Sequence, residues 1–311
     1  MKLFDPHVHM TSRTTDDYQA MAAAGIAAVV EPAFWVGQPR THVGTFEDYF
    51  LSLLGWERFR ASQFGIRHFA TLAINPREAN DPALVAGVLA LLPAYLEKDG
   101  VVAVGEIGYD DMTAAEDHCL AAQLELARAH GLPALIHLPH RDKKRGCERT
   151  LAVVREVGFA PALTIVDHNT EETLPLTLDS GCWAGHSIYP HTKMDEPRMV
   201  ELVKRYGGER ILVNSAADWG VSDPLKVPKT RDAMRAAGIP EATLEAIFWK
   251  NPIAFFAQSG RFDPAELETR PAIDQRQLHE GNSVLRGQTP RVDERSEIAG
   301  DGGLPRGIDP V

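Results

Sequence analysis

The stretch Gly100-Val-Val-Ala-Val-Gly-Glu-Ile107 decides the fold, because it is almost wholly apolar and still carries one carboxylate, Glu106. A near-continuous run of Val, Ala and Ile is typical of a parallel strand that is buried on both faces. Seven further short runs of this kind occur along the chain. We predict strands at Leu3–His7, Ile26–Pro32, His68–Ile74, Val101–Ile107, Ala134–Leu138, Leu163–Asp167, Cys182–Ile188 and Arg210–Asn214.

The segments between these runs carry the start and stop signals of helices. Asp81 precedes one segment and Gly100 follows it, while Thr113 and Gly131 flank another. A polar residue that can accept a hydrogen bond before a helix, and a glycine after it, are typical caps. We predict helices at Asp16–Ala24, Phe46–Phe64, Pro82–Lys98, Ala114–His130, Cys147–Glu156, Thr170–Leu178, Glu196–Tyr206, Lys229–Ala237 and Ala242–Gln258.

Eight strands that alternate with helices predict an α/β fold, a (β/α)8 TIM barrel over residues 1–260. An open doubly wound sheet is the alternative. Residues 261–311 form a polar, Pro- and Gly-rich C-terminal extension in which only 14 of 51 residues are apolar, too few for a core of their own. We expect an extended arm, a cover for the barrel or a flexible tail, and the arm could also join copies of the chain.

The composition narrows the classes of partner. Of 311 residues, 44% are hydrophobic and the formal net charge is −11, which favours neither nucleic acid nor an anionic membrane, although a pocket with few phosphate contacts would still admit a nucleic acid end. The three cysteines, Cys119, Cys147 and Cys182, predict no disulfide framework. With no signal-like apolar run, we expect a cytoplasmic protein that acts on a small molecule and has no membrane partner.

The first strand ends in Asp5-Pro-His7-Val-His9. Side chains two apart on a strand face the same way, so His7 and His9 should project together. Two imidazoles on one edge suit zinc or another borderline divalent metal. The alternative is two histidines that are simply buried or exposed.

Other strand ends carry further residues that can bind metal. Glu106 closes the fourth strand, His137 the fifth, His168 the sixth and Asp218 the loop after the eighth. Active sites of barrels lie at the carboxyl ends of the strands, so these side chains should meet. The sequence therefore predicts a metal centre at the mouth of the barrel.

These motifs, with VGEIGYD the most specific, resemble those of the TatD-related metal-dependent hydrolases of the amidohydrolase superfamily. The resemblance implies one metal held by His7, His9, Glu106 and Asp218, and a second held by His137 and His168 with Glu106 bridging. Zinc is the expected ion, with manganese, magnesium or iron as alternatives, and some such sites hold only one ion. A metal-bound hydroxide would attack the substrate, and Asp218 would orient it and carry its proton.

Some residues depart from the family pattern. Ser215-Ala-Ala-Asp218 replaces the usual Thr-Asp segment after the eighth strand. Glu31 could line the pocket, but an ion pair with Arg40 or Arg141 is the favoured interpretation. We list His140, Arg141 and His186 as candidate substrate contacts, although Arg141 belongs to a basic run that could be solvated and His186 could be a hydrogen-bonded wall. Trp35, Trp219 and Tyr189 could form an aromatic rim or a core lid.

Three functions follow from these observations. The resemblance most directly implies hydrolysis of a phosphoester (an ester-bond hydrolase, possibly a deoxyribonuclease) or of another small organic ester. The second hypothesis is hydrolysis of a carboxylic ester, lactone or amide. The third is a catalytically silent metal-binding scaffold, against which the complete ligand set argues.

Overall fold

A computed structural model describes residues 1–190 and 192–273 of the chain. Within this part, eight parallel strands each pair with the next in chain order, as a (β/α)8 TIM barrel requires. The predicted fold class is confirmed. The strands are β1 (Leu3–Asp5), β2 (Ile26–Pro32), β3 (Arg67–Leu72), β4 (Val101–Gly108), β5 (Ala134–His137), β6 (Thr164–Asp167), β7 (Trp183–Ser187) and β8 (Ile211–Asn214).

The seam between β8 and β1 is closed differently from the rest of the barrel. Among the described residues no ladder joins these two strands. Instead, the Ala216 amide donates to the His7 carbonyl and the His9 amide donates to the Ala217 carbonyl, both at 2.9 Å. The segments beyond the strand ends therefore close the ring.

The predicted strand at Leu3–His7 is too long, because β1 ends at Asp5. The Asp5 carboxylate turns the chain there, since its Oδ1 accepts hydrogen bonds from the His7 and Ser215 amides, both at 3.2 Å. His7 and His9 thus lie in the loop that follows the strand. The strand alternation used to pair their side chains does not apply to them.

Helices cover the outside of the barrel. They are α1 (Thr15–Ala23), α2 (Val43–Ser52), α3 (Arg58–Gln63), α4 (Pro82–Leu96), α5 (Ala114–Ala129), α6 (Lys143–Val157), α7 (Leu174–Asp179), α8 (Glu196–Tyr206), α9 (Lys226–Ala236), α10 (Glu241–Glu245) and α11 (Asn251–Phe256). Two predicted long helices are each divided by a π-helical segment, at Leu53–Glu57 and at Ala246–Lys250. The second segment precedes Pro252, which has no amide hydrogen to continue the regular ladder.

Aromatic side chains fill the bottom of the barrel, at the amino ends of the strands. Phe4 stacks on Phe69 and Phe256 with ring centroids 6.4 and 6.1 Å apart. Phe255 meets Phe256 edge to face at 5.1 Å. These rings pack with apolar residues of five other strands in one buried cluster. The bottom of the barrel is thus a dry apolar core.

The first residues of the C-terminal extension belong to that core. Phe262 packs on Phe69 with centroids 4.7 Å apart, and Leu267 is buried in the same cluster. Glu266 pairs with Arg67 at 2.8 Å. Residues 261–273 therefore cover the bottom of the barrel, and the packed core runs past the boundary expected near residue 260. Residues 274–311, and any contact they make between copies, lie outside the described residues.

Two further findings concern membrane-spanning helices and disulfides. In the described part of the chain, no helix has both the length and the hydropathy needed to cross a bilayer. The three cysteines are free and buried. The expectation that they form no disulfide framework is confirmed.

Candidate metal centre

Three buried side chains converge at the top of the barrel interior. His7 follows β1, Glu106 lies in β4 and His168 follows β6, and each offers one ligand atom within 4.8 Å of the others. The His168 Nε2 lies 3.0 Å from Glu106 Oε1, and the His7 Nε2 lies 3.8 Å from it. The fold thus gathers residues as far apart in sequence as His7 and His168, 161 positions, around one carboxylate oxygen.

Two further predicted ligands flank this group. The His9 Nε2 faces the His7 Nε2 at 3.0 Å, and the His137 Nδ1 lies 2.7 Å from Glu106 Oε1. The other Glu106 oxygen accepts a hydrogen bond from Asn75 Nδ2 at 3.0 Å. His7, His137 and His168 therefore surround the Glu106 carboxylate, and His9 adjoins them through His7.

The electrostatics keep Glu106 charged and the His9 and His168 rings neutral. Burial opposes ionisation of Glu106, but His137 and His168 outweigh it and hold its pKa well below the usual value. Burial also lowers the pKa of His9 and His168 well below the ordinary value. His7 is the exception, because Asp167 and Glu106 overcome burial and raise its pKa. A neutral ring offers a lone pair, which a metal ligand requires.

A chain of hydrogen bonds across β6, β7 and β8 fixes the tautomers of two rings. We call Asp167, Asn214 and Ser187 the relay. Asn214 Nδ2 donates to both Asp167 oxygens at 3.0 and 3.2 Å, and Asn214 Oδ1 accepts from the Ser187 hydroxyl at 2.6 Å. The Ser187 oxygen is left to accept from His168 Nδ1 at 2.6 Å, and Asp167 accepts from His7 Nδ1 at 2.6 Å. The His168 Nε2 is thereby left as an acceptor, and the His7 Nε2 is the nitrogen that would give up its proton to bind a metal.

This assignment provides a test of whether the residues fit a metal. The His168 Nε2 lone pair points at a Glu106 oxygen, and the His7 and His9 Nε2 atoms face each other 3.0 Å apart beside it. Acceptors that face one another in a buried site repel unless a cation lies among them. Histidines whose other nitrogen donates to a carboxylate or hydroxyl are typical metal ligands. The donor set fits a divalent ion.

These ligands line a cavity of about 200 Å³ at the carboxyl ends of the strands. Its walls come from β4 and from the ends of, or the loops after, β1, β2, β3, β5, β6, β7 and β8. The lining residues are His7, His9, Phe34, Trp35, Asn75, Arg77, Glu106, His137, His140, His168, Tyr189, Thr192, Lys193, Ala216 and Asp218.

One wall of the cavity is aromatic. Phe34 stacks on the His9 ring with centroids 4.1 Å apart, and on Trp219 at 5.7 Å. Trp35 meets Phe34 edge to face at 5.8 Å and lies under the Arg77 guanidinium at 4.5 Å. Of the three aromatic residues considered for a rim, Trp35 and Tyr189 line the cavity, while Trp219 is 51% exposed and stacks on Phe34.

Comparisons with known proteins identify the family of this chain. A family model described as TatD-related DNase matches residues 4–257. The chain belongs to the TatD-related family. An uncharacterized metal-dependent hydrolase of Methanocaldococcus jannaschii is 27% identical over 259 residues, which are 82% of this chain and 99% of that protein. The predicted resemblance is confirmed, and the family is one of metal-dependent hydrolases.

Solved structures share the fold of this TatD-family chain. The TatD-like protein of Archaeoglobus fulgidus is 27% identical with a TM-score of 0.68, and the match covers 81% of this chain and 99% of that one. A phosphotriesterase homology protein of Escherichia coli, solved with phosphate in its active site, is 16% identical with a TM-score of 0.62. That match covers 82% of this chain and 98% of that one.

Asp218 of the TatD-family chain lines the cavity but does not join the three converging ligands. Its Oδ1 accepts hydrogen bonds from the Gly220 amide at 2.7 Å and the Tyr189 hydroxyl at 3.1 Å. Ala216, two residues earlier, also lines the cavity and has a backbone φ of 42°. Asp218 therefore lies on the cavity wall, apart from the three converging ligands.

Glu31 does not form the ion pair that we expected with Arg40 or Arg141. Its Oε2 lies 2.8 Å from His68 Nε2, and its Oε1 accepts from the Thr11 amide and hydroxyl. Arg40 pairs with Glu78 and Arg141 with Asp111. Glu31 is fully buried and absent from the cavity lining, because the neighbouring strand β3 supplies its partner.

The other candidate substrate contacts are divided. His140 lines the cavity beside His137, with ring centroids 5.7 Å apart. Arg141 is exposed and lies on a neighbouring groove rather than in the cavity. His186 is fully buried, yet neither ring nitrogen has a hydrogen-bond partner among the described residues. The expected hydrogen-bonded wall at His186 is therefore wrong.

His186 points away from the cavity because of strand alternation in β7. A Cβ on Gly185 would meet Asp167, and the Ser187 side chain reaches His168, so both neighbours face the barrel interior. The residue between them faces the helical layer. Burial lowers the pKa of His186 to about 4.

Three contributions to the site were not predicted from the sequence. Lys193 lines the cavity, Asn75 binds Glu106, and Asn214 with Ser187 orients the histidines. His168 adopts a left-handed backbone with φ 63°, and Asp167 Oδ1 accepts its amide at 2.7 Å. Such strain in a residue that is not glycine clusters at functional sites.

Proposed function

We propose that this protein hydrolyses a phosphoester bond in a small substrate, with one or two divalent ions held by His7, His9, Glu106, His137 and His168. The observation that carries the proposal is the convergence of the His7, His168 and Glu106 acceptors at the floor of a cavity. Membership of the TatD-related family supports it. A divalent ion bound there would supply Lewis acidity toward the phosphoryl oxygens and lower the pKa of a water.

The protein's own groups have distinct parts in this proposal. The relay and Asn75 hold the His7 and His168 rings and the Glu106 carboxylate in place, so that little reorganisation accompanies the reaction. Asp218 Oδ1 is held by Tyr189 and Gly220, while Oδ2 has no partner among the described residues. We assign Asp218 the removal of a proton from the attacking water and its delivery to the leaving group.

The size and charge of the site favour a small substrate over a long nucleic acid. The cavity of about 200 Å³ is smaller than most ligand sites, which span about 300–1,000 Å³. The net charge is −11, whereas tracking a nucleic acid backbone requires a basic surface. A phosphate at the end of a chain could enter, but an internal phosphodiester would not.

One observation favours a second candidate function. Phe34, Trp35 and Trp219 form an apolar wall that could hold the acyl or ring portion of a carboxylic ester or lactone. The same ligands could activate water toward a carbonyl group. This alternative differs from the phosphoester hypothesis only in the atom attacked.

The metal is tested first, by elemental analysis of the purified protein. A set of four histidines and a carboxylate suits zinc better than magnesium or calcium, so we expect zinc. The double variant His7→Ala/His9→Ala should lose the bound transition metal. Equal metal content in this variant and the wild type would contradict the assigned centre.

The reaction is tested with matched chromogenic substrates. Metal-loaded protein should release p-nitrophenol from p-nitrophenyl phosphate at a higher kcat/KM than from p-nitrophenyl acetate or from the diester. A panel of lactones completes the comparison. Faster turnover of the acetate or of a lactone would reject the phosphoester in favour of the second candidate, and the His7→Ala/His9→Ala protein is the negative control.

A further inference from the structure

Lys193 is a cation on the wall of the cavity without an acidic partner. It lies in the loop after β7, lines the cavity with the metal-site residues and is partly buried. In the described part of the chain, no carboxylate oxygen lies within 4.0 Å of its Nζ. A cation withdrawn from water without a counter-ion is unfavourable unless another group supplies the negative charge.

The loop holds this lysine in place. A bridge between Ile188 and Met194 closes a turn, and within it the Lys193 amide donates to the Tyr189 carbonyl at 2.8 Å. The Lys193 Nζ lies over the Tyr189 ring, 5.3 Å from its centroid. The same Tyr189 donates its hydroxyl to Asp218. The ammonium group is therefore positioned by structure rather than free on the surface.

Other cations near the mouth already have partners. Arg77 pairs with Asp110 at 3.4 Å and stacks over Trp35. Arg13 pairs with Asp17 at 3.0 Å, and Lys143 donates to the Pro139 carbonyl. Lys193 differs from all of these in facing the cavity with its charge unmatched.

Glu106, Asp167 and Asp218 lie near Lys193, but among the described residues none of them has an oxygen within 4.0 Å of its Nζ. Glu106 contacts His137, His168 and Asn75, Asp167 contacts His7 and Asn214, and Asp218 accepts from Tyr189 and Gly220 through Oδ1. These acids oppose the effect of burial on Lys193, but burial is larger and lowers its pKa. Divalent ions on the histidines would add positive charge beside it. The cavity therefore requires an anion from its ligand.

We infer that Lys193 binds the non-bridging oxygens of a phosphomonoester and so selects a substrate with a terminal, doubly charged phosphate. The inference rests on the proposed function and names its substrate class. The aromatic wall, from the loop after β2, would then face the organic part of the ester. Lys193 thus discriminates a monoester from a diester and from a neutral ester, which share the leaving group but carry less charge.

The test measures binding as well as turnover. Inorganic phosphate is titrated calorimetrically into the metal-loaded wild type, Lys193→Met and Lys193→Arg. We expect phosphate affinity to fall about 10- to 100-fold in Lys193→Met, the range for a lost charged hydrogen bond, and to be partly restored in Lys193→Arg. The control is Lys204→Met, an exposed lysine of α8 paired with Glu201 at 2.8 Å.

The turnover of paired substrates completes the test. Lys193→Met should lower kcat/KM for p-nitrophenyl phosphate by a similar factor and leave p-nitrophenyl acetate within about twofold. Thermal melts verify that each variant is folded; if Lys193→Met is not, Lys193→Gln replaces it.

The outcomes separate the two hypotheses. If the wild type cleaves the phosphate but Lys193→Met binds phosphate as tightly, the inference about Lys193 is overturned and the proposed function stands. If the wild type binds phosphate through Lys193 but cleaves only esters or lactones, the lysine is an anion-binding residue and the proposed function falls. If the wild type does not bind phosphate, the inference is also overturned.

Discussion

The two ends of the barrel interior are lined by different kinds of side chain, apolar at the bottom and ionisable at the top. At the bottom, phenylalanines from β1, β3, α11 and the extension pack in contact with one another and with aliphatic strand residues. At the top, histidines and carboxylates are buried just as deeply and face one another at 2.6–3.8 Å. Burial alone therefore does not distinguish stability from function.

The two ends differ in the free energy of burying their side chains, which is favourable for apolar groups and unfavourable for polar groups without a partner. Apolar side chains gain free energy when they leave water, so the bottom is complete in the protein as it stands. A buried acceptor such as the His168 Nε2 loses its hydration, which a bound cation would offset. The bottom stabilises the chain, and the side chains at the top form a donor set that suits a divalent ion. Five substitutions test this contrast.

The largest effect is expected at Glu106. Glu106→Gln keeps the shape of the side chain but removes the charge around which the histidines are arranged, so metal affinity and kcat/KM should both fall, the latter by at least about 10³-fold or roughly 4 kcal/mol. The rise in Tm that zinc gives the wild type should disappear with it. Metal titration followed by melting measures both.

Glu31→Gln is the matched control, since Glu31 is an equally buried carboxylate outside the cavity. If both variants retain metal equally, the top of the barrel holds no metal centre at Glu106.

The next effect is on turnover alone. Asp218→Asn keeps the hydrogen bond from the Gly220 amide but loses the basicity of the free oxygen. Loss of a general base costs about 10²–10⁴-fold in kcat, roughly 3–5 kcal/mol, with metal content and melting temperature nearly unchanged. Asp223→Asn, in the same loop, is the control. A kcat near that of the wild type, with metal retained, would remove Asp218 from the mechanism.

Phe262→Ala, at the bottom of the barrel, should lower stability and leave turnover unchanged. Removing a buried ring from a dense cluster costs about 3–5 kcal/mol of unfolding free energy, while metal content and kcat stay as in the wild type. Urea unfolding monitored by circular dichroism measures the loss, and Phe262→Leu should lose much less. A loss below about 1 kcal/mol would show that the extension does not belong to the core.

His186 provides a pH test. Its pKa is lowered from 6.5 to about 4 in the folded protein, so between those values the unfolded chain binds more protons and stability falls as pH falls. From pH 7 to 5 this group should cost the wild type about 2 kcal/mol. His186→Leu should reduce that pH dependence by the same amount in urea titrations, with His118→Leu as a surface comparison. An unchanged pH dependence would contradict the buried, neutral assignment.

The smallest effect concerns the relay. Asn214→Ala frees the Ser187 hydroxyl to rotate, and the His168 tautomer is no longer fixed, so zinc affinity should weaken about tenfold. Ser187→Ala should weaken it similarly. Because both residues act through one chain of hydrogen bonds, the double variant should be no worse than either single one. Additive losses would show that the two residues act independently.

Much of the fold and the ligand set could be predicted from the sequence. Runs such as the one around Glu106 identify buried parallel strands, and a barrel brings the ends of such strands together wherever they stand in the chain. His7, His9, Glu106, His137 and His168 were placed at one mouth by that rule, and the structure gathers them there. Even where β1 proved shorter than predicted, its two histidines stayed at the mouth.

The rest depends on which side chains meet across neighbouring elements. Glu31 pairs with His68 of the neighbouring strand, and not with Arg40 or Arg141 as its charge suggested. Asn214 and Ser187 are ordinary polar residues whose role exists only because β6, β7 and β8 set them next to Asp167. The position of Lys193 at the cavity could not be predicted, because the sequence did not indicate the turn in the loop after β7. The alternation in β7 that turns His186 outward could have been predicted from Gly185 and Ser187.

Residues of the site also hold the barrel closed at the seam between β8 and β1. Where other neighbouring strands are joined by a ladder, these two ends are fastened by loop amides and by the path from His7 through Asp167 to Asn214. The residues that orient the candidate metal ligands are thus also the ones that close the ring. Substitutions in these residues would weaken the closure of the barrel and the metal centre together. Changes in substrate specificity are therefore expected in the surrounding loops.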